Sequence, residues 1–249
     1  MNITTLHLVR SSSSRLPSKA LMKIGDLTLI EHSIQRSLKF KMKPIICTSI
    51  NSDDDVFEKI ALQNKVAIFR GSLNNKLKRI IDCSNFYKLE FIHVIDVDDP
   101  YFDPIQIRKS ISLLKNKKFG IIMPSVKSSK GLASVGYSYN INFLNSNIDS
   151  KEADNVEMLD NFFLNKKFKK KISKAENITY FNINARLTID YIEDLKFFNC
   201  LNSIVGNFAT RKKIEKVLFN NKDISKINYF RNNEWSKRQK KIKNYETKI

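Results

Sequence analysis

Short apolar runs alternate with amphipathic stretches along the first half of the chain. Residues 3–9 form an apolar, β-prone run, and residues 27–40 carry apolar side chains at helical spacing. The pattern then repeats, with strands predicted at 44–48, 66–69, 91–95 and 119–123 and helices predicted at 52–63, 74–83 and after Pro104. Strands that alternate with helices at this spacing predict an α/β fold, in which a mostly parallel sheet has helices on both faces.

The pattern is less regular in the second half. We expect a strand at 133–139, a polar and lysine-rich stretch at 140–176, and another strand at 178–183. A helix is predicted at 191–201, and helices continue from residue 207 into an increasingly charged, frayed end. The second half therefore adds strands and helices to the fold without repeating the regular alternation of the first.

The composition allows a sizeable core and argues against a membrane span. Hydrophobic residues make up 42% of the 249 residues, and no apolar run approaches the roughly 20 residues that a span needs. The first residues, MNITTLHLVR, show no secretory leader. Cys47, Cys83 and Cys200 are widely separated, which argues against a disulfide framework or a zinc site. We therefore expect a cytoplasmic protein without membrane insertion.

The formal net charge of +19 has two explanations. One is an anionic partner, such as a nucleotide, a sugar acid or a nucleic acid. The other is a lysine-rich compositional bias, visible in NKKFKKKISK and SKRQKKIKNYETKI. The lysines are spread widely, and no basic run is interleaved with aromatic residues as in a base-stacking surface. Compositional bias is therefore the favoured explanation of the overall charge.

Three unusual segments follow predicted strands. They are Arg10–Lys19 after the first strand, Arg70–Ser72 after the third, and Asp96–Asp99 after the fourth. In an open parallel sheet, ligands bind at the carboxyl ends of the strands. The shared placement of the segments predicts one binding site at that edge.

The first segment, RSSSSRLPSK, has the residues of a phosphate-binding loop. A loop of small hydroxylated residues exposes backbone N–H groups that can hold phosphate oxygens. Arg10 and Arg15 add forked guanidinium groups, and Lys19 adds a point charge. The alternative is a simple surface turn.

The second segment, IDVDDPYFDP, brings three carboxylates close together. Asp96 and Asp98 would face the same side of an extended chain, and Asp99 would face the other. Such carboxylates repel one another unless a cation lies among them, and Mg²⁺ with phosphate oxygens fits this site. The alternative is an acidic turn before the helix at Pro104, for which Asp103 is the expected cap.

A third acidic segment, RLTIDYIEDL, lies later in the chain. Asp190 ends a β-prone run, and Glu193 and Asp194 fall in the first turn of the predicted helix, where its dipole stabilises acids. From the residues alone, Asp190 is a helix cap. The isolated His7, His32 and His93 are predicted to be structural, and Trp235 to anchor the C-terminal segment to the body of the protein.

Four segments together resemble the motifs of the sugar-nucleotide cytidylyltransferases, which include CMP-Kdo synthetase, acylneuraminate cytidylyltransferase and the spore-coat polysaccharide type. They are VRSSSSRLPSKALMKIGDLTLIEH, VAIFRGS, HVIDVDDPYFDP and RLTIDYIEDL, and they occur in the family's order across residues 3–200. The chain departs from the motifs at four positions. Ser12, Ser18 and Val97 stand where glycine is usual, and Ile192 stands where proline is usual.

The resemblance implies a Rossmann-like fold of the GT-A nucleotidyltransferase type and a Mg²⁺-dependent reaction. A hydroxyl of an acidic sugar would attack the α-phosphate of CTP and release pyrophosphate, giving an activated sugar for a surface polysaccharide. The implied triphosphate-binding residues are Arg10, Ser13, Arg15 and Lys19. The resemblance places Arg70 and Ser72 near the nucleotide and Asp98 and Asp190 on Mg²⁺. It implies a catalytic group of Arg10, Lys19, Asp98 and Asp190. Asp96 stands where the family has threonine, and its role is open.

We expect one domain over residues 1–240. It would comprise a nucleotide-binding half at 1–125, a small acceptor or dimerisation lobe at 131–176, and a closing strand with helices at 177–240, before a tail at 241–249. Tyr137 and Tyr139 would line a sugar pocket or lie in a strand at a dimer edge. The expected partners are CTP, an acidic sugar and a second copy of the chain, with no nucleic acid. The alternatives are a metal-dependent GT-A glycosyltransferase and a non-catalytic nucleic-acid-binding protein.

Overall fold

A twisted central sheet organises the computed structural model, which describes residues 3–13, 15–116, 119–125, 135–148, 159–163, 169–175 and 178–246. The strands are β1 (Ile3–Leu8), β2 (Lys23–Ile24), β3 (Leu27–Thr28), β4 (Met42–Ser49), β5 (Ala67–Gly71), β6 (Phe91–Asp96), β7 (Ile121–Pro124), β8 (Tyr137–Asn140) and β9 (Ile172–Ala175). The helices are α1 (Leu29–Lys39), α2 (Val56–Asn64), α3 (Lys76–Phe86), α4 (Pro104–Lys115), α5 (Ile141–Asn147), α6 (Leu159–Phe163), α7 (Ile192–Val205), α8 (Arg211–Asn220), α9 (Lys222–Lys226) and α10 (Arg231–Glu246).

The main sheet has the strand order β5-β4-β1-β6-β8-β7-β9 in the described residues. Strands β5, β4, β1 and β6 pair in parallel, and β8 runs antiparallel to both β6 and β7. Strands β2 and β3 form a separate antiparallel pair. The predicted α/β class with a mostly parallel sheet is therefore confirmed, and the carboxyl ends of β1, β4 and β6 lie side by side.

Helices cover both faces of the sheet because each presents an apolar stripe to it. On one face, residues of α1, α2, α7 and α8 form a core that includes Leu29, Phe57, Phe198 and Ile214. On the other, α3 and α5 pack with Leu6 and Leu8 of β1. Helix α4 begins as predicted: the Asp103 side chain accepts a hydrogen bond of 2.9 Å from the Ile105 N–H, and proline follows Asp103.

The described residues differ from the boundaries expected from the sequence in two places. The stretch at 178–183, predicted as a strand, is irregular, and β9 forms an edge of the main sheet. Helix α10 extends to Glu246, into the expected tail at 241–249. Strands β8 and β9 belong to the main sheet, and the division of the chain into a nucleotide-binding half and a lobe at 131–176 stays a prediction. Residues 164–168, which are part of the lysine cluster in NKKFKKKISK, lie outside the described residues.

Tyr137 and Tyr139 belong to an inner strand. Strand β8 lies between β6 and β7, the ring of Tyr139 is fully buried, and its centroid is 5.6 Å from that of Phe163. Tyr139 therefore contributes to the core rather than to a sugar pocket or a sheet edge. None of the described helices combines the length and the apolar character that crossing a bilayer requires.

The three histidines lie inside the protein, as the sequence predicted. His7 Nδ1 is 2.7 Å from Ser33 Oγ, and His93 Nδ1 is 2.7 Å from Ser138 Oγ. Burial lowers the pKa of each histidine, His32 included, to about 3. All three rings are therefore neutral in the folded protein near pH 7.

We expect mild acid to destabilise the fold through these histidines. Between pH 6.5 and pH 3 the unfolded chain binds protons that the folded chain does not, so the free energy of unfolding falls as the pH falls. Each histidine contributes up to about 1.4 kcal/mol per pH unit in this window. Urea unfolding at pH 7, 6 and 5 measures the slope, and His93→Gln should reduce it by roughly one third. A stability that stays constant from pH 7 to pH 5 would contradict the pKa assignment.

Candidate active site

The register of the sheet brings the first and second predicted segments together. Leu8, at the end of β1, pairs with Cys47 of β4 on one side and with Asp96 of β6 on the other. The loop after β1 and the acidic segment after β6 therefore leave the sheet next to each other. This is the edge where the sequence predicted a binding site.

Lys19 joins two carboxylates that are far apart in the sequence. Its Nζ lies 2.6 Å from Asp98 Oδ2 and 3.2 Å from Asp190 Oδ1. It also donates a 3.0 Å hydrogen bond to the carbonyl oxygen of Ile189. The structure thus places Asp98 and Asp190 around a single lysine ammonium. The resemblance implied that the two acids meet at a Mg²⁺ ion, and that role stays a prediction.

A backbone hydrogen bond fixes the two acidic segments relative to each other. The Ile189 N–H donates to the Asp98 carbonyl oxygen at 2.9 Å. Because this bond joins main-chain atoms, it aligns the segments independently of their side chains. The meeting of Asp98 and Asp190 therefore belongs to the fold as well as to the ion pairs with Lys19.

Three cations surround the Asp190 carboxylate, which is only 3% exposed. Oδ1 accepts from Arg15 Nη2 and from Lys19, and Oδ2 accepts from Arg186 Nη2 at 2.8 Å. Burial alone would raise the pKa of Asp190, but these three cations lower it below its ordinary value. The same pairing raises the pKa of Lys19, because Asp98 and Asp190 outweigh the cost of burying the ammonium. Both groups are therefore charged at neutral pH.

Arg186 is fully buried and pairs with Asp190 Oδ2, whereas Lys19 and Arg15 contact Oδ1. Its Nε donates to Asp194 Oδ1 at 2.9 Å, and its guanidinium carbon lies 5.5 Å from the ring centroid of Trp235. Asp194 also accepts a hydrogen bond of 2.9 Å from the Asn228 side-chain amide. These contacts confirm that Trp235 anchors the C-terminal segment, and they make Asp194 a buried partner rather than only a helix-dipole acid.

The serine-rich loop closes on itself. The Ser18 N–H donates a hydrogen bond of 3.1 Å to the Ser11 carbonyl oxygen, and the Leu16 N–H donates one of 3.4 Å to Ser13 Oγ. Ser18 has φ 53° and ψ 24°, the left-handed conformation that glycine adopts without strain. Ser18 thus adopts this conformation with a side chain, at a position where the family motif usually has glycine.

Arg10 lies at the other side of the cleft. Its Nη1 donates 2.9 Å to the Leu73 carbonyl oxygen. It lines a cavity of about 90 Å³ together with Lys19, Asp96 and Asp98, and an adjoining cavity of about 120 Å³. The second cavity adds Lys76 and Arg79 to its lining. Positive side chains therefore outnumber carboxylates around the cleft, which suits an anionic ligand.

Asp96 has a different partner from Asp98. Its Oδ1 lies 2.7 Å from Lys76 Nζ at the start of α3. The two aspartates thus pair with different lysines across one cleft. Sequence analysis did not single out Lys76, because nothing in the local pattern indicates that α3 approaches the end of β6.

Arg70 and Ser72 contact residues outside the Lys19 cluster. Arg70 Nη1 pairs with Asp55 at 2.6 Å and with Glu58 at 2.9 Å, which joins β5 to the start of α2. Ser72 Oγ accepts 3.2 Å from the Asn75 N–H. Ser72 nevertheless directly precedes Leu73, the carbonyl partner of Arg10. The predicted nucleotide contacts of Arg70 and Ser72 stay predictions.

A larger cavity, of about 440 Å³, lies elsewhere. Its lining comes from residues 182–184, from α8 and α9, and from Tyr229. Among the described residues that line it, the titratable ones are Lys222, Lys226 and Tyr229, and none is a carboxylate. Size alone would favour this cavity as the site, but acids paired with cations occur in the smaller cleft after β1 and β6.

The donor atoms of the cleft fit a hard divalent cation. Asp98 and Asp190 offer carboxylate oxygens, the ligand type that Mg²⁺ prefers when substrate phosphates complete its coordination. The Lys19 ammonium contacts both of them, so the two acids already share one positive charge. No cluster of three or more histidine, cysteine or acidic ligands occurs in the described ranges. The fit therefore rests on two protein carboxylates.

The solved structures that resemble this one are nucleotidyltransferases. A cytidylyltransferase from Leptospira borgpetersenii has a TM-score of 0.73 at 22% identity, over 90% of this chain and 97% of that chain. A CMP:2-keto-3-deoxy-manno-octonic acid synthetase complexed with CTP has a TM-score of 0.58 at 14% identity, over 82% of this chain and 99% of that chain. These comparisons show that the fold is the Rossmann-like fold of nucleotidyltransferases.

The sequence assigns the family. Residues 7–242 match the family model described as Cytidylyltransferase, so the chain belongs to that family of nucleotidyltransferase enzymes. A 3-deoxy-manno-octulosonate cytidylyltransferase of Rickettsia canadensis is 28% identical over 127 residues, which cover 49% of this chain and 51% of that protein. The spore coat polysaccharide biosynthesis protein SpsF of Bacillus subtilis is 30% identical over 101 residues, 38% of this chain and 42% of that protein. The chain spans about half the length of the curated relatives it matches, or less.

We expect Arg186→Met to destabilise the protein strongly. Methionine fills the space but leaves the buried Asp194 and part of Asp190 without their cation, a loss of about 3–5 kcal/mol. Urea unfolding measures the change. The matched control is Arg231→Met. Arg231 pairs with Glu193, which is next to Asp194 in α7, but the Arg231 side chain is 28% exposed. That pair should contribute at most about 1 kcal/mol. Equal losses in the two variants would contradict the role given to Arg186.

We expect Ser18→Gly to stabilise the protein by about 0.5–1 kcal/mol, because glycine removes the strain of a left-handed side-chain residue. The control is Lys65→Gly, at an exposed residue with φ 54° beyond the end of α2. Both variants should unfold at higher urea concentration than the wild type. If Ser18→Gly lowers stability while Lys65→Gly raises it, the serine side chain contributes something that its backbone conformation does not explain.

Proposed function

We propose that this protein is a Mg²⁺-dependent cytidylyltransferase that joins CMP, taken from CTP, to an acidic sugar and releases pyrophosphate. The observation that carries the proposal is the convergence of Asp98 and Asp190 on Lys19, beside Arg15 and at the carboxyl edge of the sheet. Family membership supports the transfer of a cytidylyl group. The names of relatives that act on 3-deoxy-manno-octulosonate support a sugar acid as acceptor.

The triphosphate would lie against the serine-rich loop and its flanking cations. Lys19 and Arg15 reach the Asp98–Asp190 pair from the loop side, and Arg10 faces the same cleft from the end of β1. Arginine holds phosphate with two parallel bonds, and lysine adds a mobile point charge. Together they would orient the α-phosphate toward the acceptor and stabilise the charge that develops on the departing pyrophosphate.

Asp98 and Asp190 would hold the Mg²⁺ ion, which when bound neutralises phosphate oxygens and polarises the α-phosphate. Lys19 is then free to turn from the carboxylates to the phosphates. Arg186, bonded to Asp190 on the opposite side from Lys19, would keep that carboxylate oriented during the exchange. The main-chain bond from Ile189 to Asp98 keeps the two acids together throughout.

The reaction replaces a phosphoanhydride bond of CTP with a phosphate ester bond to the acceptor. The acceptor hydroxyl oxygen loses its proton and bonds to the α-phosphorus of CTP, the bond from that phosphorus to the oxygen bridging to the β-phosphorus breaks, and pyrophosphate leaves with that oxygen. The cationic lining that Lys76 and Arg79 add next to Arg10 suits an acceptor or nucleotide with further negative charge. The predicted homodimer stays a prediction.

A pyrophosphate-release assay tests the proposal directly. We expect the wild type, with Mg²⁺ and a panel of ulosonic acids, to release pyrophosphate from CTP in preference to ATP, GTP and UTP. A glycosyltransferase would instead release nucleoside diphosphate from a nucleotide sugar. A nucleic-acid-binding protein would show steeply salt-dependent binding to RNA or DNA without pyrophosphate release. Either result would replace the proposed function.

We expect Asp98→Asn and Asp190→Asn each to reduce turnover by at least about 100-fold, because each variant removes charge from the proposed metal site. The matched control is Asp103→Asn, since asparagine caps a helix about as well as aspartate and Asp103 caps α4 outside the cluster. Circular dichroism should show all three variants folded. Full activity in Asp98→Asn or Asp190→Asn would remove that residue from the site.

A further inference from the structure

Asp54 is a buried acid that the structure places outside the predicted helix. The sequence predicts a helix over 52–63, in which Asp54 would lie in the first turn near the helix dipole. The structure instead has a short 3-10 turn at Ser52–Asp54, and Asp54 is only 1% exposed. Helix α2 begins two residues later, so the Asp54 side chain is available for a contact elsewhere.

Each oxygen of the Asp54 carboxylate accepts hydrogen bonds from one serine. Oδ1 accepts from the Ser11 N–H at 2.7 Å and from Ser11 Oγ at 2.8 Å. Oδ2 accepts from the Ser49 N–H at 3.2 Å and from Ser49 Oγ at 2.5 Å. Ser49 is the last residue of β4, and Ser11 opens the loop after β1. Asp54 therefore attaches the loop to the neighbouring strand.

The attachment continues from Ser11 to the site. The Ser11 carbonyl oxygen accepts from the Ser18 N–H at 3.1 Å, and Ser18 directly precedes Lys19. A hydrogen-bonded path thus leads from Asp54 through Ser11 and Ser18 to the lysine that contacts Asp98 and Asp190. This path fixes the loop near both of its ends, at Ser11 and at Ser18.

The carboxylate remains ionised although it is buried. Burial would raise the pKa of Asp54, but the hydrogen bonds from Ser49 and Ser11 lower it below its ordinary value. Arg79 lies close enough to Asp54 to interact with it electrostatically, but the hydrogen bonds from the two serines are the main support of its charge. Hydrogen bonds to an ionised acceptor are stronger than neutral ones, which makes Asp54 a firm attachment point.

We propose that Asp54 is a positioning residue for the proposed transfer reaction, one that holds the serine-rich loop closed so that its N–H groups and Lys19 face the triphosphate. The expected effect on the kinetics rests on the proposed function. The attachment of the loop by Asp54 does not depend on that function. Asp54 touches neither the reacting atoms nor the Lys19 cluster. Its effect should therefore appear in nucleotide binding more than in the chemical step.

The test compares two variants of Asp54 with two controls. Asp54→Ala removes both acceptors, and Asp54→Asn keeps one carbonyl oxygen, which can serve only one of the two serines. Ser49→Ala removes a donor to Oδ2 and leaves the contacts of Oδ1 with Ser11 intact, so it reports the effect of lost stability alone. Asp53→Asn removes an adjacent exposed carboxylate and controls for charge.

We expect Asp54→Ala to raise the KM for CTP by about tenfold or more while kcat changes less than the KM, with a smaller rise in Asp54→Asn. Amide hydrogen exchange of Ser11 and Ser18 should become at least about tenfold faster in Asp54→Ala. Ser49→Ala should lower the unfolding midpoint and leave the KM within about twofold, and Asp53→Asn should change neither.

The exchange measurement separates this inference from the proposed function. If the wild type uses no nucleoside triphosphate but the Ser11 and Ser18 amides still lose protection in Asp54→Ala, the proposed function fails and the attachment stands. If their exchange is unchanged in Asp54→Ala, the attachment is wrong whatever the enzyme does. A KM that rises as much in Ser49→Ala as in Asp54→Ala would reduce Asp54 to a structural residue. Asp54→Asn provides the same comparison if the alanine variant does not fold.

Discussion

The Lys19 ammonium is the contact on which the site depends, because it lies between two carboxylates that would otherwise repel each other. Asp98 follows a strand in the middle of the sheet, and Asp190 precedes a helix late in the chain. The sequence around either residue therefore does not indicate that the other lies close to it in the folded protein. Arg15 and Arg186 remain paired with Asp190 if Lys19 moves, but the two acids then have one cation fewer, so a ligand that draws Lys19 away binds best when it brings positive charge. Under the proposed function, a Mg²⁺ ion entering with the nucleotide would supply that charge.

Much of the fold was predictable because parallel strands and their crossover helices leave a regular pattern. The alternation in residues 3–123 predicted the order of strands and helices, and the structure confirms the sheet and its helices on both faces. Boundaries and the second half were less predictable. Strand β9 is short and follows a lysine-rich stretch, so neither its length nor its composition distinguishes it from a loop. The stretch at 178–183 is apolar enough for a strand but has no strand partner among the described residues.

The candidate site was predictable wherever a motif combined charge with position, and unpredictable wherever the partner was distant. Lys19, Asp98 and Asp190 were identified from the motifs of the family, and the structure brings them together. Asp54 and Arg186 were missed in their roles because a local pattern offered a sufficient explanation for each segment, a helix start in one case and a strand in the other. Which donor an acid meets is decided by tertiary packing, and sequence spacing carries little information about it.

The contacts of Arg186 have a consequence for the order in which the protein assembles. Its carbonyl oxygen and its acidic partner Asp194 both bond the Asn228 amide, and Trp235 covers its guanidinium. During synthesis, strands β1 and β6, which precede Lys19 and Asp98, emerge early. Arg186, which pairs with Asp190, gains its contacts with Asn228 and Trp235 only after residues 228–235 have left the ribosome. The surroundings of the candidate site are thus completed late, after the strands of the main sheet have been synthesised.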